Sequence, residues 1–441
     1  MLASITTNSF LMAFTFWIGW LAGIKSRGKY NPLYVLIAWL AMEYATNNFW
    51  LFSPWLNLGN ALARNTGMIQ WYEFTGVAGG TLWILTVNML IASTLTRISE
   101  PRNTSLSIIR LTAISAVIAA PLILSLRLLN KQSTLPASGT TVILVQPNVD
   151  PYSEKFSTPF TVQLNSALTL VANAKTEEAD WIIAPETTID DPINLDSTHN
   201  NMYINKITCY LSGHMHSMLV IGATTSSGTG NRKFHNSALG ISSQGIESVY
   251  HKSRLVPGIE RPFGRSLKFM QRLFPYLGGT GAGFHGQTSR PVMKHHHTGI
   301  SLAPVICFES AFPEHVASFV RNGADIIAVI TNDGWWNGTY GYQQHLSFSC
   351  LRAIETRRPV VRAANTGVSA YIDHSGQIIS TIPWWTEGTL LAEPRIPGKV
   401  TFFVRNGDLI GRSSATLMIF IAVLSFIAVP LRKRLEQKNT V

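Results

Sequence analysis

Five apolar stretches bracket one long segment of mixed polarity, and this arrangement limits what the chain can fold into. The stretches cover residues 10–24, 32–52, 74–95, 106–129 and 413–431. A helix that crosses the hydrocarbon of a bilayer needs roughly 17–25 predominantly apolar residues, and only helices and closed barrels satisfy their backbone there. The chain has 441 residues, 46% of them hydrophobic and only 13% charged, which is too charge-poor for an ordinary soluble protein of this size. The sequence therefore predicts about four membrane spans within residues 1–130, a folded domain over 131–411, and one further span with a basic tail over 412–441.

The charges orient these spans. Lys25, Arg27 and Lys29 follow the first stretch, Arg97 and Arg102 the third, and Arg432, Lys433, Arg434 and Lys438 the last. Lys and Arg concentrate in cytoplasmic loops, so these three places are expected inside. The N-terminus and the segment 130–412 are then expected outside. Residues 1–24 lack a basic n-region and read as a span rather than a signal peptide. A nucleic-acid binder gathers its basic residues on one face of a folded domain; here many flank apolar segments, so the net charge of +11 does not indicate a nucleic-acid partner. The three cysteines, Cys209, Cys307 and Cys350, form an odd set without CxxC spacing. Neither a disulfide framework nor a zinc site is indicated, and no metal is expected.

Between the fourth and fifth stretches, short apolar runs alternate with helix-like segments. Residues 141–146, 181–184, 218–222, 302–307, 325–331 and 359–363 read as buried strands, and 159–175, 313–322 and 343–356 as helices. This is an α/β pattern with a largely buried sheet, and roughly 280 residues suffice for one substantial core.

Three of the strand-like runs end in a reactive side chain: Glu186 after WIIAP, Lys252 after VYH, and Cys307 after LAPVI. Each has an ordinary explanation by itself. A strand-end carboxylate often caps or pairs, a loop lysine is usually solvated, and a buried cysteine usually packs as a small hydrophobe. Together, a carboxylate, an amine and a thiol form a complete set for acyl transfer. Ser310 and Pro313 suggest a helix starting just after Cys307. That helix end and a nearby lysine are expected to lower the thiol pKa from about 8.5 toward neutrality.

The stretches VILVQPNV, WIIAPET, HNSALGI, YHKSRLVPG, ICFESAFPEHV, ITNDGWWNGTYGYQQH, RAIETRRPVVRAANTG and YIDHSGQI resemble the nitrilase superfamily, whose members carry a Glu-Lys-Cys triad in this order. Within it the chain is most similar to the membrane-bound apolipoprotein N-acyltransferase family, a resemblance that extends to residues 39–88. The resemblance implies a nitrilase-like α-β-β-α sandwich between membrane helices, in a bacterial inner membrane with the catalytic domain facing the periplasm. It also implies Glu186 as general base, Lys252 facing the developing oxyanion and Cys307 as nucleophile, with Glu260 and Glu309 in support. The partners it implies are a phospholipid acyl donor, a diacylglyceryl-modified apolipoprotein acceptor and the lipid bilayer, with no cofactor. The carboxylate is expected to have a raised pKa in a partly dry pocket. The family usually has about three further helices ahead of the four read here, Phe308 stands where tyrosine is common, and Gly-Ile-Glu where Phe-Gly-Glu is usual. A membrane-tethered nitrilase-type amidase, in which water resolves the thioester, shares the triad and is the main rival; a non-catalytic protein on the same scaffold is disfavoured by the intact triad.

Other residues divide less sharply. An acidic group inside a bilayer is costly and tends to be functional or paired, so Glu43 is expected in an internal polar role, whereas Glu73, beside Trp71 and Tyr72, is expected at the membrane interface. Trp335 and Trp336 suit an acyl pocket, the interface or core packing. The run His295, His296, His297 reads as a solvated loop, and Cys209 and Cys350 as packed hydrophobes. The glycine-rich run 278–286 lacks the strand-before, helix-after context of a phosphate loop and reads as an arm over the site.

Overall fold

The structure is a computed structural model and describes residues 2–27, 32–49, 53–98, 104–132, 138–174, 179–228, 232–261 and 283–438. Four long helices come first: α1 (Leu2–Arg27), α2 (Pro32–Asn48), α3 (Tyr72–Ile98) and α4 (Thr104–Gln132). The domain follows with β1 (Val142–Gln146), α5 (Phe160–Asn173), β2 (Trp181–Ile183), β3 (Ile189–Asn194), α6 (Met202–Ser212), β4 (Met218–Ser227), β5 (Lys233–Ser242) and β6 (Gly245–His251). Its second half runs through β7 (Met293–Lys294), β8 (Ser301–Ile306), α7 (Pro313–Arg321), β9 (Ile326–Thr331), α8 (Gly341–Thr356), β10 (Val360–Ala364), β11 (Ser369–Ile372), β12 (Ile378–Ile382) and β13 (Gly388–Ala392). The short α9 (Phe402–Asn406) and the long α10 (Leu409–Lys438) close the chain.

Two mixed sheets face each other. One has the order β13-β1-β2-β4-β5-β6, with β3 also pairing with β4; the other has the order β12-β11-β10-β9-β8-β7. The parallel pairs β1/β2, β2/β4, β8/β9 and β9/β10 form the centres, and antiparallel strands flank them. Side chains on a strand alternate between faces, and β1 divides accordingly. Val142 and Leu144 enter the core between the sheets, while Ile143 and Val145 turn outward against Leu164, Leu168 and Ile207 of α5 and α6. Trp181 and Ile183 against Ile182 on β2, and Met218 and Val220 against Leu219 on β4, repeat this division. Strands covered on both faces carry unbroken apolar runs, which is why these segments look continuous in the sequence. On the second sheet Val316 and Phe319 of α7 pack with β8 and β9. Together these layers make an α-β-β-α sandwich.

Local chemistry sets several boundaries. Asn201 caps α6 by accepting from the Tyr203 and Ile204 N–H groups, and Pro313 opens α7 where its missing N–H costs nothing. Gly76 sits at φ +62° in α3, where an added Cβ would meet Phe403 at 2.5 Å. At this kink the Val77 N–H donates to Glu355 Oε1 of α8 at 3.0 Å.

Among the described residues two helices are long and apolar enough to cross a membrane, Tyr72–Leu95 and Ile108–Asn130, and Leu409–Leu424 is a shorter apolar helix. The expected stretches at 10–24 and 32–52 coincide with α1 and with α2 as far as Asn48. Glu43 is buried on α2 and accepts from Trp39 Nε1 at 2.9 Å, Thr81 Oγ1 at 2.7 Å and the Leu58 N–H at 2.8 Å. It ties α2 to α3, the internal polar role expected for it. Glu73, at the start of the apolar helix α3, pairs with Arg357 of the domain at 2.5 Å. This partner, 284 residues away, leaves no local trace in the sequence.

Two expectations are corrected. His295 is not solvated: it is fully buried, with Nε2 close to the Asp180 and His216 carbonyls, while His296 and His297 are exposed. Cys350 is buried, but Cys209 is exposed on α6, because Ile204, Ile207 and Leu211 supply the face turned to the sheet. Most of the predicted arm over 278–286 lies outside the described residues.

Candidate active site

Glu186, Lys252 and Cys307 each lie just past a strand end, after β2, β6 and β8, and the packing of the two sheets brings them together. The Lys252 ammonium lies 2.8 Å from Glu186 Oε1 and 2.8 Å from Glu260 Oε1. The Asn236 amide, from β5, donates to the same two oxygens at 2.8 Å each. The Asn332 N–H donates to Glu186 Oε2 at 3.3 Å, and the Val256 N–H to Glu260 Oε2 at 2.8 Å. Cys307 lies close enough for its charge to interact with both Glu186 and Lys252. Lys252 is 1% exposed, so its charge must be paired where it stands. Gly222 of β4 makes room for this arrangement, since a Cβ there would lie 2.5 Å from Glu186 Cα and Pro185 O.

Burial and charge fix the resting protonation states. Burial by itself would raise the Glu186 carboxyl, but the Lys252 ammonium and the Asn236 amide outweigh it and hold the group below its usual range. Burial likewise opposes the Lys252 ammonium, and the carboxylates of Glu186 and Glu260 hold its pKa well above normal. Burial, reinforced by the negative charges of Glu186 and Asp333, pushes the Cys307 thiol far up despite Lys252. This reverses two sequence expectations. Cys307 rests as a thiol, because the lysine's charge is already shared by two carboxylates and the turn after Cys307 is only a short 3₁₀ segment, Cys307–Ala311. Glu186 is lowered rather than raised, because Lys252 contacts it directly.

Cys307 adopts φ +50°, a conformation that costs a non-glycine residue about 1–3 kcal/mol and persists only when its surroundings over-determine it. The restraint is visible. His345 Nε2 lies 3.0 Å from the Cys307 carbonyl and 2.9 Å from Ser310 Oγ, and its Nδ1 lies 2.8 Å from Asp333 Oδ1. Arg362 pairs with the other Asp333 oxygen. Glu309 holds the second side: Oε1 accepts from Tyr250 OH at 2.6 Å, the Ser253 N–H at 2.7 Å and the Arg254 N–H at 3.1 Å, and Oε2 from the Ile306 N–H at 2.9 Å. Glu309 thus ties the residues following Lys252 to the residue preceding Cys307. Burial opposes its ionisation, but His315 and these donors bring its carboxyl down to about 2.

All five residues singled out from the sequence meet in this one region, Glu260 on Lys252 and Glu309 behind it. Sequence reasoning missed Asn236, Thr331, Asp333, His345, Arg362 and Lys155, whose ammonium reaches Thr187 Oγ1 beside Glu186. The available signal was polar residues in buried strands: Asn236 within FHNSALGI and Arg362 within VVRAA are both nearly inaccessible. Trp336 packs against Trp55 in a tilted arrangement with ring centroids 5.0 Å apart, and Trp335 lies edge-on to Tyr152 at 5.4 Å.

The carbon-nitrogen hydrolase family profile matches residues 142–396, and the apolipoprotein N-acyltransferase N-terminal domain profile matches residues 1–90. The chain belongs to the apolipoprotein N-acyltransferase family. It is 30% identical to the apolipoprotein N-acyltransferase of Ralstonia nicotianae over 409 residues, which is 91% of this chain and 73% of that one. It is 29% identical to the Chlorobaculum tepidum enzyme over 391 residues, 84% of this chain and 72% of that one. Among solved structures, an amidase from Nesterenkonia sp. aligns over 62% of this chain and 97% of its own at 16% identity, with a TM-score of 0.43. The match of the N-terminal helices to the acyltransferase family favours acyl transfer over a membrane-tethered amidase, and the chain is an acyltransferase of the nitrilase superfamily.

Proposed function

We propose that N-acyl transfer in this chain runs through Cys307 by a ping-pong route. The Cys307 thiol passes its proton to Glu186 as sulfur attacks an acyl ester carbonyl of a phospholipid. The developing oxyanion faces the Lys252 ammonium, a fixed charge of the kind whose removal from such sites costs roughly 3–4 kcal/mol. Collapse expels the lysophospholipid, whose oxygen takes the proton back from Glu186, and leaves a Cys307 thioester. The α-amine of a diacylglyceryl-cysteine then attacks the thioester, gives its proton to Glu186 and forms the amide, and the departing sulfur is reprotonated there. Because the thiol rests neutral, proton transfer and attack are coupled. Glu260 keeps Lys252 in place, and Glu309 positions the segments that carry Lys252 and Cys307.

The observation that carries this reading is the convergence of Glu186, Lys252 and Cys307 in one buried cluster. The membrane setting follows the same reading: about four spans ahead of the domain and one after it, in a bacterial inner membrane with the domain in the periplasm. The basic flanks of the apolar stretches support that orientation. Outward-facing Phe10, Trp17, Ile108, Leu126, Ile419 and Phe420 on α1, α4 and α10 support contact with lipid.

Incubating the full chain with phospholipid in detergent should leave a hydroxylamine-labile acyl group on Cys307, located by mass spectrometry. Acylation of Cys209 or Cys350, or of no cysteine, refutes the mechanism. With a diacylated lipopeptide added, the peptide amine should gain the acyl mass; free fatty acid as sole product would refute the transfer step.

A further inference from the structure

Two cavities meet at Arg254. The first is a narrow cleft walled by Tyr44 and Asn48 at the end of α2, Val77 and Ala78 near the start of α3, and Arg254, Phe312, Glu314 and Asp408. The second, larger and partly open to solvent, is walled by Ser253, Arg254, Arg290, Phe308 and Phe312 among others. Arg254 and Phe312 line both, so one guanidinium separates a cleft beside the helix ends from a chamber inside the domain. Ser253 directly follows Lys252 and Phe308 directly follows Cys307, so the segments that carry two of the reacting groups also build the chamber's wall.

Among the described residues that line the chamber none is acidic. The Arg254 guanidinium lies 4.9 Å from the centre of the Phe312 ring, and its Nε is shielded from water with no hydrogen-bond partner. Arg290 lines the same chamber; its Nε donates to His315 Nδ1 at 3.1 Å and its Nη1 to the Thr288 carbonyl. Among the described residues neither arginine forms an ion pair with a carboxylate. The two nearby carboxylates are engaged elsewhere. Glu309 accepts from the Arg254 backbone N–H rather than the guanidinium, and Glu314 accepts from the Asp408 N–H at 2.7 Å and lies 3.9 Å from Arg412. A buried donor without an acceptor costs about 1–3 kcal/mol, and two guanidinium groups lining one cavity repel each other until an anion sits between them. A guanidinium fork matches the paired oxygens of a phosphate.

We propose that Arg254, with Arg290, receives the phosphodiester of the donor phospholipid in this chamber, so that an acyl ester reaches Cys307 along the walls of Phe308 and Phe312. The assignment rests on the acyl-transfer reading above and extends it. A diacylglyceryl-cysteine carries no phosphate, so these arginines select the donor and act in the first half-reaction alone.

The test uses the full chain in detergent micelles and measures thioester formation on Cys307 from two donors, phosphatidylglycerol and the uncharged ester p-nitrophenyl palmitate. The Arg254→Gln variant should lower the phospholipid-to-neutral rate ratio at least about tenfold, chiefly through KM for the phospholipid, and Arg254→Lys should recover part of it. Arg290→Gln should shift the ratio in the same direction. An equal fall with both donors would mean only structural damage, and an unchanged ratio would mean no phosphate contact; either overturns the assignment while leaving the Cys307 thioester reading intact. Absence of a thioester from both donors in the unmodified chain would overturn both. Free phosphate as the occupant is a further refuting outcome: millimolar inorganic phosphate would then change acylation by the neutral ester while the donor ratio stayed indifferent to Arg254→Gln.

Discussion

Replacing Glu309 by glutamine tests whether this carboxylate holds the site together. Its two oxygens accept four hydrogen bonds, from Tyr250, Ser253, Arg254 and Ile306, and only one oxygen survives in an amide. With that oxygen on the side of Tyr250, Ser253 and Arg254, the new NH₂ faces the Ile306 N–H, leaving a buried donor unpaired at a cost of about 1–3 kcal/mol. The other three bonds lose the assistance of charge. The acidity gives a comparable figure: a carboxyl brought from 4.5 to about 2 corresponds to about 3 kcal/mol at roughly 1.4 kcal/mol per unit. In a domain of this size each kcal/mol moves the melting temperature by about 2–4 °C, so Glu309→Gln should melt about 6–12 °C lower at pH 7. Because folding depresses this pKa, the stabilisation is present above about pH 4.5 and is lost as pH falls toward about 2. The gap between the two proteins should therefore narrow between pH 4.5 and pH 3. Tryptophan-fluorescence melting in detergent at several pH values measures both effects. A variant that melts within about 1 °C of the parent at pH 7, or a gap that persists unchanged in acid, would refute the reasoning.

Two further outcomes follow from the geometry. In Gly222→Ala the new Cβ would press on the backbone at both Pro185 and Glu186, and since a shift of about 1 Å can cost about 100-fold, thioester formation should fall by that order; a wild-type rate would remove Gly222 from the account. With Cys307 held as a neutral, half-buried thiol, iodoacetamide near neutral pH should modify the exposed Cys209 about tenfold faster, and faster labelling of Cys307, followed by peptide mass mapping, would show a resting thiolate instead.

The central strands β1, β2, β8, β9 and β10 fall within a residue or two of their expected ranges because burial on both faces leaves unbroken apolar runs; β4 runs five residues past its expected end, and β5 and β11, whose polar residues interrupt such a run, were missed although buried. The outer strands β3, β12 and β13 were not legible, since β3 and β12 are largely solvent-facing and β13 alternates. At the site, residue identity and strand-end position pointed to Glu186, Lys252 and Cys307, but protonation did not follow from identity. The thiol was expected low and the carboxylate high, and both are reversed once Lys252 is seen between two carboxylates in a buried cluster. Asn236, Asp333, His345 and Arg362 were hidden because their partners come from distant segments. For the same reason the pairing of Glu73 with Arg357 was not foreseen.

The kink at Gly76 has a consequence for the order in which the molecule is made. The amide of Val77 reaches Glu355 across 278 residues, the Gln70 side chain reaches the Ser375 carbonyl across 305, and Glu73 reaches Arg357 across 284. At a synthesis rate of about 5–20 residues per second, the beginning of α3 waits roughly 15–60 s for these partners to emerge. During that interval the helix entrance has unpaired polar groups on the side where the domain will later dock. Anything that binds this rim in the meantime, such as a chaperone or an insertion factor, competes with the chain's own domain for the same polar groups.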